Sequence, residues 1–258
     1  MFRLPAFFMS GLALCAAMPA PAYAQRSSAQ QARTVAAWRR AIVRRDPLRL
    51  DFARKALLEA GKTVVPDLIA ALEDRHADVR REAAYALGPF LEDAHDAVPA
   101  LLRRLRDGER QVRQAAATAL GWMRAREPRV VVELVASCHD HSAWVRESAV
   151  VSLGELSIRP ELTVPALTSA LGDASPFVRE AAVRSLGWSL RRDASVLDPV
   201  LRALRATDWR VRMLAAEALG RAGPHVAQAT AALRRAEHDS FYKVRDAATL
   251  ALGAISRR

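Results

Sequence analysis

Aromatic side chains make up only 6% of this 258-residue chain, and that shortage argues against a sheet protein. Strands favour β-branched and aromatic residues, whereas the alanine and leucine that dominate here favour packed helices. Cysteine is nearly absent, with Cys15 and Cys138 the two copies. No nucleophile–base pairing, glycine-rich phosphate loop or paired-carboxylate motif stands out, which lowers the expectation of an enzyme. After Met18 no segment is long and apolar enough to span a bilayer. Disorder is also excluded, because 51% of the residues are hydrophobic and 26% charged. The net charge of +11 rests almost wholly on arginine. Such a balance admits nucleic acid, an acidic protein or anionic lipid as partners and selects none until the arginines are placed.

The N-terminus reads as a secretory signal over residues 1–24. Arg3 supplies the positive start, the run from Leu4 to Met18 is apolar apart from Ser10, and Pro19 and Pro21 break any helix. Ala22-Tyr23-Ala24 then offers small residues for cleavage before Gln25. A membrane anchor is the alternative, although the run falls short of the ~20 residues a span needs. A lipid anchor through Cys15 fits less well, since Leu14 is not small. Cleavage would leave Cys138 alone, without an internal disulfide, in a periplasmic or secreted chain.

What is abundant is repetition. Six segments share a valine followed by arginine, an alanine four positions after the valine, and a closing leucine-glycine. They run Val79 to Gly88, Val112 to Gly121, Val145 to Gly154, Val178 to Gly187, Val211 to Gly220 and Val244 to Gly253, with successive valines 33 residues apart. A degenerate copy, Phe52 to Gly61, sits out of phase. Valine, alanine and leucine at this spacing share one helical face. The glycine is expected to be a left-handed C-cap. A second apolar pattern precedes the copies, in Val65-Pro66, Val98-Pro99 and Val164-Pro165 with the leucines that follow, and proline suits a first helical turn. Each unit therefore reads as two antiparallel helices that bury their apolar faces only by stacking.

Asp74, Asp107, Asp140, Asp173 and Asp239 each stand five positions before the repeat valine. With them, the pattern Asp-…-Val-Arg-x-x-Ala-…-Leu-Gly resembles the HEAT repeat, and most closely its bacterial variant named after phycobiliprotein lyases. The resemblance covers about residues 62 to 253 and implies an all-α, right-handed α-solenoid of about seven helix pairs. It is to the repeat, not to any catalytic residue, and the scaffold serves many tasks. It also implies a ladder in which these aspartates bond to Arg80, Arg113, Arg146, Arg179, Arg212 and Arg245. The rung at Ala206 is expected to be weaker, because its aspartate, Asp208, is displaced by two residues. Residues 25–31 read as a flexible linker, residues 32–61 as an N-terminal capping helix pair, and residues 62–258 as the repeat array.

In this family the second helix of each pair usually lines the concave face. The resemblance thus points to Arg81, Glu82, Tyr85, Gln114, Thr118, Glu147, Val151, Glu180, Arg184, Met213, Leu214, Glu217, Asp246 and Leu250 as partner-binding positions. Two cations and five acids make this a mildly acidic surface, unlike the basic groove a nucleic-acid binder needs. The leading reading is an exported, non-catalytic scaffold for a protein or peptide, with no cofactor. Trp122 and Trp188, each following a repeat glycine, are rim anchors or covers for the loop beneath. Trp144, Phe177, Trp209 and Tyr242 at the starts of second helices read as packing between repeats.

Other readings stay open. Arg103, Arg104, Arg106, Arg110, Arg124, Arg126, Arg129, Arg191, Arg192, Arg202, Arg205, Arg234 and Arg235 form a solvated outer face, or a surface for anionic envelope polymer or lipid. Cys138-His139-Asp140-His141 carries metal-capable side chains, although consecutive residues converge poorly on one ion. An enzyme or metal-dependent factor on the concave face is the rival from another class. The final helix, with Ile255 as its last large apolar residue, is a candidate for weak self-association.

Overall fold

The computed structural model describes residues 28–190, 193–221 and 226–257. The expected signal sequence lies outside the described residues. Among them every regular element is helical and no strand occurs, in agreement with the all-α class. The chain divides into two compact units, residues 1–124 and 125–258.

The first unit contains α1 (Ser28–Val43), α2 (Pro47–Ala60), α3 (Val65–Ala71), α4 (Ala77–Leu87), α5 (Val98–Arg104) and α6 (Arg110–Trp122). Short 3-10 turns, Gly61–Val64 and Gly88–Ala97, lead into α3 and α5. Helix α1 begins at Ser28, inside the stretch expected to be linker. Helices α3 and α5 pack on α4 and α6, and α4 packs on α6. The second unit contains α7 (Pro128–Ser137), α8 (Ala143–Leu156), α9 (Pro160–Ala170), α10 (Pro176–Ser189), α11 (Leu197–Ala203), α12 (Trp209–Leu219), α13 (Val226–Ala236) and α14 (Tyr242–Ser256). Within it α8, α10, α12 and α14 pack in succession, each backed by its own first helix, α7, α9, α11 and α13. Helix α9 starts at Pro160, so Pro165 falls inside it rather than at its first turn.

The repeat valine and alanine are fully buried in every copy, as at Val79 and Ala83 or Val178 and Ala182. Leu87, Leu120, Leu153, Leu186 and Leu219 complete the stripe, with no exposure. Each such valine or leucine contributes about 1.5–3 kcal/mol through its removal from water.

The closing glycines have another purpose than the left-handed cap expected of them. Among the described glycines only Gly61 has a positive φ, 64°. Helices α6, α8, α10 and α14 run straight through Gly121, Gly154, Gly187 and Gly253. The physical reason is contact. A Cβ on Gly187 would stand 2.7 Å from Ala218 Cβ, and one on Gly220 would stand 3.0 Å from Ala251 Cβ. Ser185, Ala218 and Ala251, the small residues before the next leucine-glycine, let their helices approach Gly154, Gly187 and Gly220.

Candidate functional site

The repeat arginines and aspartates are held in one recurring geometry. Arg80 Nε and Nη2 donate to Asp107 Oδ2 and Oδ1, both at 2.8 Å, while its Nη1 donates to the carbonyl of Asp74 at 2.8 Å. Arg146 treats Asp173 and the Asp140 carbonyl in the same way, and Arg212 treats Asp239 and the Ala206 carbonyl likewise. Arg113 and Arg245 donate to the Asp107 and Asp239 carbonyls. Each aspartate also accepts a backbone N–H two residues on, as Asp140 does from Ser142 at 2.8 Å. Burial tends to raise the carboxyl of Asp107 or Asp173, but the arginine and backbone hydrogen bonds outweigh it and hold the group below its usual range.

Two rungs depart from the expected set. Asp208 compensates for Ala206 by accepting Arg179 Nη2 while its other oxygen accepts the Arg210 N–H, which caps α12. At the start of the chain Arg39 of α1 donates to both oxygens of Asp74. Its neighbour Trp38 is fully buried, whereas Phe52 is 73% exposed. Arg39 of α1 thus supplies a rung ahead of the first repeat arginine, Arg80.

The second-helix face is less acidic than its composition suggests. Glu82 and Glu147 are buried. Glu82 accepts from Arg54 of α2 and from Arg81, whose Nη1 also reaches Asp78 at 2.7 Å. Burial pushes the Glu147 carboxyl upward, opposed by Arg184 and reinforced by Glu180. Glu180 pairs with Arg184 at 3.1 Å and lies 3.8 Å from Arg210. Glu217 and Asp246 are exposed, so the accessible negative charge is concentrated in α12 and α14. Tyr85, Gln114, Thr118, Val151, Met213 and Leu214 are half-buried, and Thr118 donates to the Gln114 carbonyl at 3.0 Å. Leu250 is 72% exposed.

The tryptophans divide by surroundings. Trp122 lies against Tyr85, with centroids 6.1 Å apart, and its ring fills the space a Cβ on Gly88 would need. Trp188 stays half-exposed. Trp144 and Phe177 stack across α8 and α10, and Trp209 stacks on Phe241, the N-cap of α14. Trp144, Phe177 and Trp209 thus pack between repeats, whereas Tyr242 meets its chain neighbour Phe241, and Trp144, Phe177 and Tyr242 remain about half exposed.

Among the described residues no three His, Cys, Asp or Glu side chains converge as a metal site. His139 and His141 are exposed while Cys138 is buried, so the four-residue turn points its groups apart. Of the outer arginines, Arg103 and Arg104 pair with Glu73, and Arg104 also reaches Asp107. Arg106, Arg110, Arg124, Arg126, Arg129, Arg202, Arg205, Arg234 and Arg235 are exposed, while Arg191 and Arg192 lie outside the described residues.

Three stretches, residues 65–154, 132–193 and 164–253, match the family described as HEAT repeats and together span well over half of the chain. No curated protein sequence matches significantly. Among solved structures, YibA from Escherichia coli is similar over 92% of this chain and 100% of its own, with 16% identity and a TM-score of 0.62. An engineered protein is similar over 88% and 68%, with 20% identity and a TM-score of 0.55. The complex of CpcE and CpcF of phycocyanin lyase from Nostoc sp. PCC7120 is similar over 62% and 99%, with 22% identity and a TM-score of 0.53. At these identities the likeness is one of fold.

Proposed function

This chain belongs to the HEAT-repeat family, and from that premise we propose that it is a non-catalytic scaffold that holds a protein or peptide on the exposed face of its second helices, the face expected to be concave. One observation carries the reading. The side chains common to all repeats are consumed internally, the valines and alanines by the core and the arginines and aspartates by the ladder. The most exposed positions of these helices are ones that vary from repeat to repeat, such as Leu250, and the half-buried Met213 and Leu214 lie among them. The sequence of residues 1–24 supports delivery to the periplasm or beyond, so the partner is sought in the envelope. No cofactor enters this reading.

The test uses the full chain as bait for envelope proteins, beside variants Met213→Glu, Leu214→Glu and Leu250→Glu with unchanged circular dichroism. Specific capture that the variants diminish supports the scaffold. Undiminished capture of the same proteins places the contact elsewhere, and reproducible absence of any specific capture rejects the scaffold.

A further inference from the structure

The starts of the second helices in residues 125–258 carry a surface that neither core nor ladder uses. Trp144 and Phe177 stand one position before the repeat valine, and Trp209 and Tyr242 stand two before it. Trp144 and Phe177 lie with centroids 6.1 Å apart and planes 16° apart. Trp209 and Phe241 are closer, at 4.2 Å and 27°, and Tyr242 continues the row 5.3 Å from Phe241. Stacking spares them only in part, for Trp144, Phe177 and Tyr242 are 52%, 56% and 53% exposed. Aromatic side chains of this kind bury about 150–250 Å² when covered, so much of the gain is still unrealised.

Charge follows the same row. The Arg210 guanidinium lies 4.8 Å from the Trp209 centroid, and Lys243 Nζ lies 5.3 Å from it and 6.0 Å from the Tyr242 centroid. The nearby aspartates are committed, since Asp173, Asp208 and Asp239 are held by Arg146, Arg179 and Arg212. From α8 to α14 the surface thus carries a row of rings, with both cations gathered about Trp209 at its C-terminal end.

Packed helices lie about 8–10 Å axis to axis. A polyproline II strand advances about 9 Å in each three-residue turn. The strand's period suits the helix spacing rather than the ring spacing, since the paired rings lean together at 6.1 and 4.2 Å, so every third residue of such a strand falls at the next repeat. The geometry points to a docking strip for an extended, proline-rich acidic peptide segment laid across the N-terminal ends of α8, α10, α12 and α14. Proline rings lie on Trp144 and Phe177, and carboxylates three residues apart face Arg210 and Lys243. The peptide is nearly pre-ordered in this form, so little conformational entropy is lost on docking. A single nucleic-acid strand also uses rings and cations, but it needs a positive track for successive phosphates. Two cations, with Glu180 beside one and Asp246 three residues beyond the other, do not provide it.

This strip rests on the scaffold reading and adds the partner's conformation and charge. The probe is a fluorescein-labelled peptide, Pro-Ala-Pro-Pro-Ala-Pro-Glu-Pro-Pro-Glu, titrated with the full chain and followed by anisotropy. Saturable binding is expected, weakened about tenfold or more by Trp144→Ala with Phe177→Ala. Arg210→Glu with Lys243→Glu is expected to abolish it and to create binding of the same probe carrying lysine for glutamate. That exchange tests the strip even where the alanine pair disturbs folding. The strip is overturned by absence of saturable binding or by equal binding of a probe with glycine for proline. Indifference to these variants, or preference for oligothymidine, a neutral oligosaccharide or a second copy of the chain, overturns it as well. A captured partner released by the Met213 and Leu214 variants but not by the strip variants would sink the strip and leave the scaffold standing.

Discussion

Gly154 and Ser185 meet across adjacent second helices so closely that a Cβ on the glycine would stand 2.4 Å from the serine Cβ and 2.9 Å from its Cα. Ser185 cannot retreat easily, because it is fully buried and its Oγ donates to the Val150 carbonyl at 3.1 Å.

Gly154→Ala is therefore expected to destabilise the chain by about 1–3 kcal/mol, although alanine is the better helix former by about 1 kcal/mol. Gly108→Ala, where a Cβ would meet nothing within 4 Å, is expected to stay within about 0.5 kcal/mol. Urea midpoints of the two variants check the contrast, and a stabilised Gly154→Ala would refute it.

Arg80 and Asp107 form the rung where removal of one partner is expected to cost most. The Asp107 side chain is 3% exposed and the Arg80 side chain 15%. Asp107→Ala strands the guanidinium in a half-dry site and is expected to cost about 3 kcal/mol. Arg80→Met together with Asp107→Leu is expected to recover much of that loss. Equal losses for the single and double variants in denaturant titrations would contradict this account.

The ladder also fixes the response to acid. At Asp74 burial pulls the carboxyl upward, but the Arg39 side chain and the His76 backbone and ring bonds bring it down to about 2. An unfolded aspartate titrates near 3.9. Because the folded value is depressed, this stabilisation is complete above about pH 4 and is lost as pH falls towards 2. Asp107, Asp173, Asp208 and Asp239 shift in the same direction. Stability measured at falling pH is expected to drop through this window, with a smaller drop in Asp74→Asn. A flat profile there would count against the ladder.

Cys138 is expected to behave as an inert thiol. Burial, aided by Asp173, pushes it up to about 12, and the thiolate is the reactive form. Reaction with Ellman's reagent at pH 8 is expected to be about a hundredfold slower in the native chain than in urea. Equal rates would mean that the turn opens or that the thiol is activated.

Much of this was legible in the sequence for a simple reason. The 33-residue period puts the same side chains in the same surroundings six times, so a pattern that survives all copies announces the core and the ladder. What broke the period was legible only in part. Asp208 stands visibly displaced and accepts a single Arg179 bond, whereas no repeat pattern marks Arg39, which completes a rung from α1. The glycines read as caps in sequence because a close approach and a left-handed turn call for the same residue, and only the position of the next helix tells them apart. Helical spacing puts the buried Glu82 and Glu147 on the outward face because it gives a direction and not what covers it. The exposure of Trp144, Phe177 and Tyr242 was lost in the same way.

The ladder arginines hold a further consequence. Arg80, Arg146, Arg179 and Arg212 each grip the carbonyls of their own preceding turn, as Arg179 does those of Asp173 and Ala174 at 2.9 and 3.1 Å, before extending towards a neighbour. The reach of each is thus a rigid gauge set within one module, and the interval to the next module is inherited rather than negotiated. Mutation can repaint such a ruler freely, while the distance between its graduations resists change.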